Sequence, residues 1–374
     1  MPGEPHVARL WLIDFRCFAQ IDLSFGPGLT VLAGDNGQGK TSLLEAVGWA
    51  ARGRSFRGVP DAALVRTGCE AAILRAEVQA GERTQLLEAE VRAVGRNRVL
   101  MNRHPLARQR DLLGLVRVTV FSPDDLDLVK GGPSTRRTFL DELLVAVAPR
   151  YEAARVDFER VLKQRNALLR QGVRDDDDRA TLAVLDEQLV GSGGELARGR
   201  LRLVGRLAGP LESAYAGLAG APSVIAGTYL AEWAGGPLDE SRVAAVDDLL
   251  RAALETSRRS EIERRLTLVG PHRDEWALSI DSRDSRTHAS QGEQRSLALA
   301  LRLAGHDLCR ELTGSAPVLL LDDVFSELDA SRAGALVAHL PAGQTLLTTA
   351  GGEPPGIHPE RRLRIEAGVV EETG

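Results

Sequence analysis

Hydrophobic and polar positions divide this chain into three stretches with different periods. As far as residue 123, short β-type runs are separated by turn residues, and they include His6 to Phe15, Leu29 to Ala33 and Val116 to Phe121. From there to about residue 265 the apolar residues recur at helical spacing. β-type runs then return, among them Leu266 to Val269 and Val318 to Leu321. The pattern predicts strand-rich regions at both ends of the chain, separated by a long helical insertion.

The run Leu29 to Ala33 leads into a loop with the pattern G-x-x-x-x-G-K-[ST], in which Gly34, Gly39, Lys40 and Thr41 take the fixed places. Apolar residues at helical spacing follow, so the order is strand, loop, helix. Glycines let backbone N–H groups face phosphate oxygens, and the helix N-terminus adds positive partial charge. Lys40 can reach β- and γ-phosphates, and the Thr41 hydroxyl can reach Mg²⁺. The structural alternative is a Gly-rich turn before a helix.

Lysine usage favours the phosphate-binding interpretation. Lys40, Lys130 and Lys163 are the only lysines among 47 basic residues, so lysine stands where the loop geometry requires it. Shortly after the loop, RGRSFRG places Arg54 and Arg57 between glycines. Both a solvated turn and an arginine contact to nucleotide or DNA remain open for these two residues.

A second group of candidate residues lies near the C-terminus. Val318 to Leu321 predicts a buried strand that ends in Asp322 and Asp323. Asp322 is a candidate Mg²⁺ ligand, and Asp323 could polarise water for attack on a γ-phosphate, with a purely structural role as the alternative. Upstream, Ser290 to Glu293 opens a helix, and the alternatives for this segment are an anion site, a plain N-cap by Ser290 or a turn.

Composition narrows the class of protein. The 374 residues are 43% apolar, enough for one large core or two smaller ones, and length suggests two domains. No apolar run approaches a membrane span, Met1 to His6 does not resemble a secretion signal, and Cys17, Cys69 and Cys309 are scattered. We therefore expect a soluble protein of a reducing cytosol.

The net charge of −5 argues against a uniformly basic nucleic-acid binder, so DNA binding would need a local basic face. Aromatic residues make up only 4%, which favours backbone contacts through arginine over base stacking. Arginines crowd in the helical region. Each of them taken singly is typical of a solvated helix face, and as a group they are the candidate DNA footprint: Arg136, Arg137, Arg150, Arg155, Arg160, Arg165, Arg170, Arg198, Arg200 and Arg202.

The order of these motifs along the chain resembles that of the ABC-type ATPases of chromosome maintenance. Within that class the chain is closely similar to the RecF family of bacterial DNA replication and repair proteins. The matching blocks cover nearly the whole chain: GDNGQGKTSLLEA, GRSFR, KGGPSTRRTFLDE, LKQRNALLR, GPHRDE, SQGEQR and LLLDDVFSELD.

The resemblance implies an α/β fold, an ABC-type P-loop ATPase head with a compact helical lobe inserted between the Walker A and signature/Walker B halves. Residues 1–123 would form the N-terminal part of the head, 124–265 the lobe, and 266–374 the C-terminal part. Lys40 and Asp323 would be catalytic, and Thr41 and Asp322 would hold Mg²⁺. The implied ATP contacts are Gly34, Asp35, Asn36, Gly37, Gln38, Gly39, Lys40, Thr41, Ser290, Gln291, Gly292, Glu293 and Asp329.

It also implies a cytoplasmic, ATP-dependent DNA-binding protein of recombinational repair, replication-fork maintenance and SOS induction. Such a protein would act as an ATP-gated homodimer that helps load RecA at gapped DNA with RecR and RecO. Ser122 to Asp125 offers no Q-loop glutamine, and the run ending in Thr348-Thr349 has no switch histidine, which suits a slow ATPase. Two alternatives stay open: the ATPase subunit of an ABC transporter, and a nucleotide-controlled scaffold without significant hydrolysis.

Overall fold

The structure is a computed structural model that describes residues 4–220 and 223–373. Its strands are β1 (His6–Phe15), β2 (Phe18–Ser24), β3 (Leu29–Ala33), β4 (Ala71–Ala80), β5 (Arg83–Arg92), β6 (Arg98–Met101), β7 (His104–Pro105), β8 (Val118–Phe121), β9 (Ile225–Ala231), β10 (Gly236–Leu238), β11 (Glu275–Ile280), β12 (Arg283–Asp284), β13 (Val318–Leu321), β14 (Thr345–Thr349), β15 (Arg361–Glu366) and β16 (Val369–Glu372). Its α-helices are α1 (Lys40–Arg52), α2 (Asp127–Lys130), α3 (Pro133–Val147), α4 (Arg150–Gln171), α5 (Asp176–Ala219), α6 (Val246–Arg264), α7 (Gln291–Thr313) and α8 (Ala330–Ala338). Among the residues described, no helix is long and apolar enough to cross a bilayer.

The chain packs as two compact units. The first contains residues 4–125, 217–220 and 299–373, and the second contains 126–216 and 223–298. Both units are therefore assembled from segments that are distant in sequence. Residues 266–298 pack with the second unit, whereas the sequence-based division assigned them to the ATPase head. As a statement about domains, that division stays a prediction.

The first unit contains two sheets around α1. One is antiparallel with the order β2-β1-β4-β5-β6-β7, and the other has the order β16-β15-β3-β14-β13-β8. In the second sheet β15, β3, β14, β13 and β8 are parallel, and β16 is an antiparallel edge. Central strands that are covered on both faces read as continuous apolar runs, as in LTVLA and VLLL. The core contains Leu43, Leu44, Val47 and Trp49 of α1, all with no exposed surface.

The carboxyl ends of parallel strands meet at one edge of a sheet, and this edge carries the candidate site. β14 lies between β3 and β13, with Leu347 opposite Val31 on one side and Leu321 on the other. The loop at Gly34 and the acidic pair at Asp322 therefore follow strands that flank the end of β14. Residues separated by most of the chain are brought to one edge.

The second unit combines helices with the small antiparallel sheet β10-β9-β11-β12. Apolar faces of α4, α5 and α6 share one core that includes Phe158, Leu189 and Leu250. Helix α3 packs on β11, where the Phe139 and Trp276 rings stack with centroids 6.0 Å apart. The helical period predicted from the sequence is present as these helices.

The predicted β-type run Leu266 to Val269 is wrong, because this segment is irregular in the structure. Side chains satisfy its backbone donors in place of a neighbouring strand. The Thr267 N–H donates to Asn166 Oδ1 at 2.8 Å, and the Leu268 N–H donates to Glu261 Oε1 at 2.6 Å. An apolar run can thus stay irregular where buried side chains supply its hydrogen bonds.

A buried ion-pair cluster joins the helices of the second unit. Arg165 has no exposed surface and donates to Asp186 at 2.7 Å, Glu261 at 2.6 Å and the Thr267 hydroxyl at 2.9 Å. Glu261 is fully buried as well. Because ionised groups are strongly disfavoured in a protein interior unless they are paired, the three charges depend on one another.

Arg165→Met is expected to lower the free energy of unfolding by about 3–5 kcal/mol, because it leaves the Glu261 carboxylate buried without its counter-charge. Urea denaturation followed by circular dichroism measures the change. Arg259→Met is the matched control, since it removes an exposed pair with Glu263 on α6 and should leave the midpoint almost unchanged. A loss no larger than that of the control would contradict the expected role of the cluster.

Candidate nucleotide site

The loop from Gly34 to Gly39 connects β3 to α1 and depends on glycine at both ends. A Cβ on Gly34 would lie 2.3 Å from the Ile365 carbonyl oxygen, so only glycine allows this close approach. Gly39 has φ 113°, and a Cβ there would lie 2.6 Å from Cys17 Sγ. The glycine spacing of the motif therefore follows from backbone conformation and from neighbours that are distant in sequence.

Lys40 is the first residue of α1 and is only 6% exposed. Its ammonium group donates to the Gly34 carbonyl at 2.6 Å and to the Asp35 carbonyl at 2.8 Å. These bonds hold a positive charge inside the loop. A buried ammonium next to a helix N-terminus favours an anionic ligand at this place.

Thr41 and Asp322 are in direct contact, with Thr41 Oγ1 donating to Asp322 Oδ1 at 2.8 Å across 281 positions of sequence. The Thr348 hydroxyl, at the end of β14, lies 3.0 Å from the same carboxylate oxygen. Burial raises the pKa of the Asp322 carboxyl above its usual range, and the hydrogen bonds from Thr41 and Thr348 oppose that shift. A cation bound here would favour the ionised form of this carboxyl.

Asp323 adopts a left-handed conformation with φ 50°, which is uncommon for a residue other than glycine. Its backbone N–H donates to the Thr348 hydroxyl oxygen at 2.9 Å, and its own carbonyl accepts from Ser326 Oγ at 2.8 Å. This turn directs the chain away from β13 and places Asp323 in the pocket lining. Strained residues of this kind concentrate at functional sites.

These residues line a pocket of about 490 Å³ within the first unit. Its lining is Arg16, Cys17, Asn36, Gly37, Gly39, Lys40, Thr41, Ser42, Arg57, Ala63, Val65, Thr67, Asp322 and Asp323. The structure therefore brings the Walker A residues and the acidic pair together. For Arg57, the placement agrees with the interpretation as a nucleotide contact.

Gln38 has a different environment from the other loop residues. Its side-chain Oε1 accepts a hydrogen bond from the Ala367 N–H at 2.6 Å, in the turn between β15 and β16. This hydrogen bond connects the β15–β16 hairpin to the outer side of the phosphate-binding loop. A direct contact between the Gln38 side chain and a nucleotide stays a prediction.

The signature residues Ser290 to Glu293 belong to the second unit and form a capping box at the start of α7. The Ser290 N–H donates to Glu293 Oε2 at 2.6 Å, and the Glu293 N–H lies 3.3 Å from Ser290 Oγ. Ser290 is exposed. Asp329 caps α8 by accepting from the Arg332 N–H at 2.9 Å and is exposed too. Their roles toward ATP stay predictions.

Sequence reasoning does not find several residues of this site. In the sequence Thr348 marks only the absence of a switch histidine, yet its hydroxyl bridges Asp322 and Asp323. Arg16 and Cys17 lie in the β1–β2 turn, which carries no phosphate-binding pattern. A threonine at the end of a parallel strand was the one available signal.

The structure removes three arginines from the candidate DNA-binding set. Arg136, Arg165 and Arg200 are buried and pair with Glu275, Asp186 and Asp141 respectively. Such arginines stabilise the second unit and are not available to a phosphate backbone. Their acidic partners are too distant in sequence for the pairing to be foreseen.

The side chains present suit Mg²⁺. This ion is usually held in nucleotide sites by one or two protein oxygens, with water and phosphate completing the octahedron. The Thr41 hydroxyl and the buried Asp322 carboxylate supply such a pair. In the described part of the chain no cluster of three His, Cys, Asp or Glu side chains could hold a metal by itself.

A P-loop after a central parallel strand, facing an acidic pair after a neighbouring strand, defines an ABC-type P-loop ATPase head. The family model "RecF/RecN/SMC N terminal domain" matches residues 6–347. The chain is 44% identical to the DNA replication and repair protein RecF of Streptomyces avermitilis, over 98% of this chain and 99% of the relative. It is 46% identical to that of Frankia alni, over 92% and 93%. The chain therefore belongs to the RecF family.

Solved structures agree with this assignment. The structure of the recombination mediator protein RecF–ATP in the RecFOR pathway aligns with a TM-score of 0.92 at 27% identity, covering 100% of this chain and 99% of that one. The Smc head domain from Pyrococcus furiosus aligns with a TM-score of 0.58 at 14% identity, which shows a shared fold. Both the predicted fold class and the resemblance to the RecF family are confirmed.

Proposed function

We propose that this protein is an ATP-dependent DNA-binding protein of DNA repair in which the nucleotide acts as a switch. The contact between Thr41 and Asp322, inside a pocket that also holds Lys40, carries the proposal. It joins the two halves of a nucleotide site from opposite ends of the chain. RecF relatives named for DNA replication and repair, and a RecF–ATP structure of the same fold, support ATP as the ligand.

The charged and hydroxyl side chains of the site have distinct proposed roles. Lys40 supplies positive charge to the β- and γ-phosphates, and Arg57 adds a second cation beside Asp322. Asp323 accepts a proton from the attacking water, and Thr348 holds the backbone at Asp323 in its turn. Thr41 and Asp322 would hold Mg²⁺, which would supply charge neutralisation to the phosphates.

We expect slow hydrolysis because this chain lacks the usual switch histidine and Q-loop glutamine. The position of a switch histidine carries Thr348 and Thr349, and Ser122 to Asp125 provides no glutamine. A threonine hydroxyl is not a base near neutral pH, so Asp323 would act without a second titratable group. We infer that hydrolysis resets the protein after DNA binding, with few turnovers.

ATP would also assemble the active form. In the ABC arrangement two heads face each other, and the signature of one contacts the γ-phosphate held by the other. The exposed start of α7 at Ser290 suits such a contact, because helix N-termini carry positive partial charge and favour anions. A dimer of this kind would bring two arginine-bearing lobes to the DNA backbone, although each chain carries a net charge of −5.

The wider role follows from the family. We propose that the ATP-bound dimer acts at gapped DNA with RecR and RecO to help load RecA, and that it supports replication-fork maintenance and the SOS response. The similar RecF–ATP structure is that of a recombination mediator in the RecFOR pathway, which supports this placement. A cytoplasmic location agrees with such partners.

The proposed function is tested by DNA binding to duplex, single-strand and junction substrates, with and without ATP and Mg²⁺. We expect ATP to increase affinity for DNA, and DNA to stimulate slow hydrolysis. Hydrolysis that does not respond to DNA would favour a transporter ATPase. Full ATP-dependent DNA binding without any single-turnover hydrolysis would favour a nucleotide-controlled scaffold.

Asp322 and Asp323 should have separable effects. Asp323→Asn keeps the shape of the side chain but removes the base, so we expect near-normal ATP affinity and hydrolysis slowed about 10²–10⁴-fold. Asp322→Ala removes the proposed metal ligand, so Mg²⁺ should no longer strengthen ATP binding. Calorimetry with Mg²⁺ or with EDTA, together with single-turnover hydrolysis, gives both readouts. Identical behaviour of the two variants would contradict this division of roles.

A further inference from the structure

Glu45 is a charged residue in the core of the first unit. It lies on α1, one turn after Thr41, and has no exposed surface. A buried carboxylate is costly unless charged or polar partners satisfy it. Neither the Walker A pattern nor the proposed chemistry accounts for a carboxylate at this position.

The partners of Glu45 come from two different loops. Arg16, in the turn between β1 and β2, donates from Nε at 2.8 Å and from Nη2 at 2.8 Å, which forms a bidentate pair. Ser55, in the loop after α1, donates its hydroxyl to Glu45 Oε1. One carboxylate therefore links the P-loop helix to both loops.

Both loops carry arginines that line the nucleotide pocket. Arg16 itself is in the lining, and its backbone N–H is fixed by the Leu64 carbonyl at 2.8 Å. The Arg57 N–H donates to Ser55 Oγ at 3.0 Å, so a single hydroxyl connects Glu45 to the backbone of Arg57. Arg57 is exposed and lines the pocket beside Asp322 and Asp323.

We infer that Glu45 is a positioning residue of the nucleotide site, which holds Arg16 directly and Arg57 through Ser55 so that both cations face the bound phosphates. The inference rests on the proposed function, because it takes a nucleoside triphosphate as the ligand. Glu45 itself would not touch the nucleotide. Long arginine side chains lose much rotamer freedom when they bind, and a preformed arrangement reduces that cost.

Glu45→Gln separates positioning from simple electrostatics, because the two predict opposite changes. Removing a negative charge near an anionic ligand should tighten binding if charge alone matters. If Glu45 positions the arginines, the loss of the bidentate pair should weaken ATP binding about tenfold, which corresponds to about 1.4 kcal/mol. The measurement is calorimetric titration of ATP into the full-length protein with Mg²⁺.

Asp22→Asn is the matched control. It removes an equal charge and another bidentate arginine pair, formed by Arg9 with Asp22 at 2.8 and 2.7 Å between β1 and β2. These residues are not part of the pocket lining. ATP affinity should therefore stay at the wild-type value.

A double variant tests whether Glu45 acts through Arg16. Arg16→Gln alone should weaken ATP binding, and Glu45→Gln should cost less in that background than in the wild type, since the pair with Arg16 is already broken and only the Arg57 branch is left to lose. Fully additive losses would overturn the direct link. Ser55→Ala keeps the Arg16 pair and loosens only the Arg57 branch, so a smaller loss of affinity is expected.

The outcomes are distinct. If the wild type binds ATP and Glu45→Gln binds it equally well or more tightly, the positioning role is overturned while the proposed function stands. If the wild type does not bind ATP, the proposed function itself fails, and the inference fails with it. Should Glu45→Gln not fold, as judged by its thermal melting, Ser55→Ala decides: weaker binding supports the role and unchanged binding overturns it.

Discussion

Lys40→Met is expected to abolish ATP-dependent DNA binding, because it weakens ATP binding, while leaving the fold intact. The ammonium group lies inside the loop, 2.6 Å from the Gly34 carbonyl and 2.8 Å from the Asp35 carbonyl, where phosphate oxygens would meet it. Methionine has a similar length and is easily buried, so the core around α1 should tolerate it. Loss of a charge-assisted contact to two phosphates should reduce affinity roughly a hundredfold or more, about 2.7 kcal/mol.

Lys163→Met provides the control, because Lys163 is an exposed lysine on α4 in the second unit. Calorimetric titration of ATP and circular dichroism should be applied to both variants and to the wild type. ATP-stimulated DNA binding should disappear in Lys40→Met and persist in Lys163→Met. Normal ATP affinity of a folded Lys40→Met protein would show that the P-loop assignment is wrong.

Ser290→Arg is expected to abolish ATP-dependent dimerisation and ATP-stimulated DNA binding, with monomer ATP affinity nearly unchanged. Ser290 and Gln291 are exposed at the start of α7, where Ser290 forms a capping box with Glu293. An arginine there would fill the space that a γ-phosphate from the facing head needs. Loss of the cap itself should cost only about 1 kcal/mol, which leaves the helix formed.

Sedimentation velocity with ATP and Mg²⁺ measures the assembly. Ser260→Arg is the control, since Ser260 is an exposed serine on α6 of the same unit and the substitution adds the same charge and bulk. A wild type that stays monomeric under these conditions would contradict the dimer model. So would a Ser290→Arg protein that still dimerises.

Short motifs made part of the site predictable. Gly34, Gly39, Lys40 and Thr41 lie within eight positions, so their pattern can be recognised in the sequence although distant neighbours also require the two glycines. The apolar run before Asp322 was similarly legible as a buried strand, and β13 has every residue buried.

The positions whose role the sequence predicted wrongly have partners that come from distant parts of the chain. Arg165 was a candidate for DNA binding, but Asp186, Glu261 and Thr267, which come from other parts of the chain, enclose it. A basic residue between polar neighbours has the same local pattern whether it faces solvent or a buried acid. The partner decides its role, and the partner is known only after folding.

The sequence by itself determined the α/β class, the phosphate loop, the acidic strand end and the membership of the RecF family, since each depends on residues close together or on blocks in a fixed order. Only the tertiary structure decided how these parts meet. Thr41 contacts Asp322 because β3 and β13 flank β14. Thr348 contacts the same carboxylate because it lies near the end of β14, the strand between them. Glu45 joins Arg16 and Ser55 for the same reason: hydrogen bonds act over about 3 Å in space, whatever the separation along the chain.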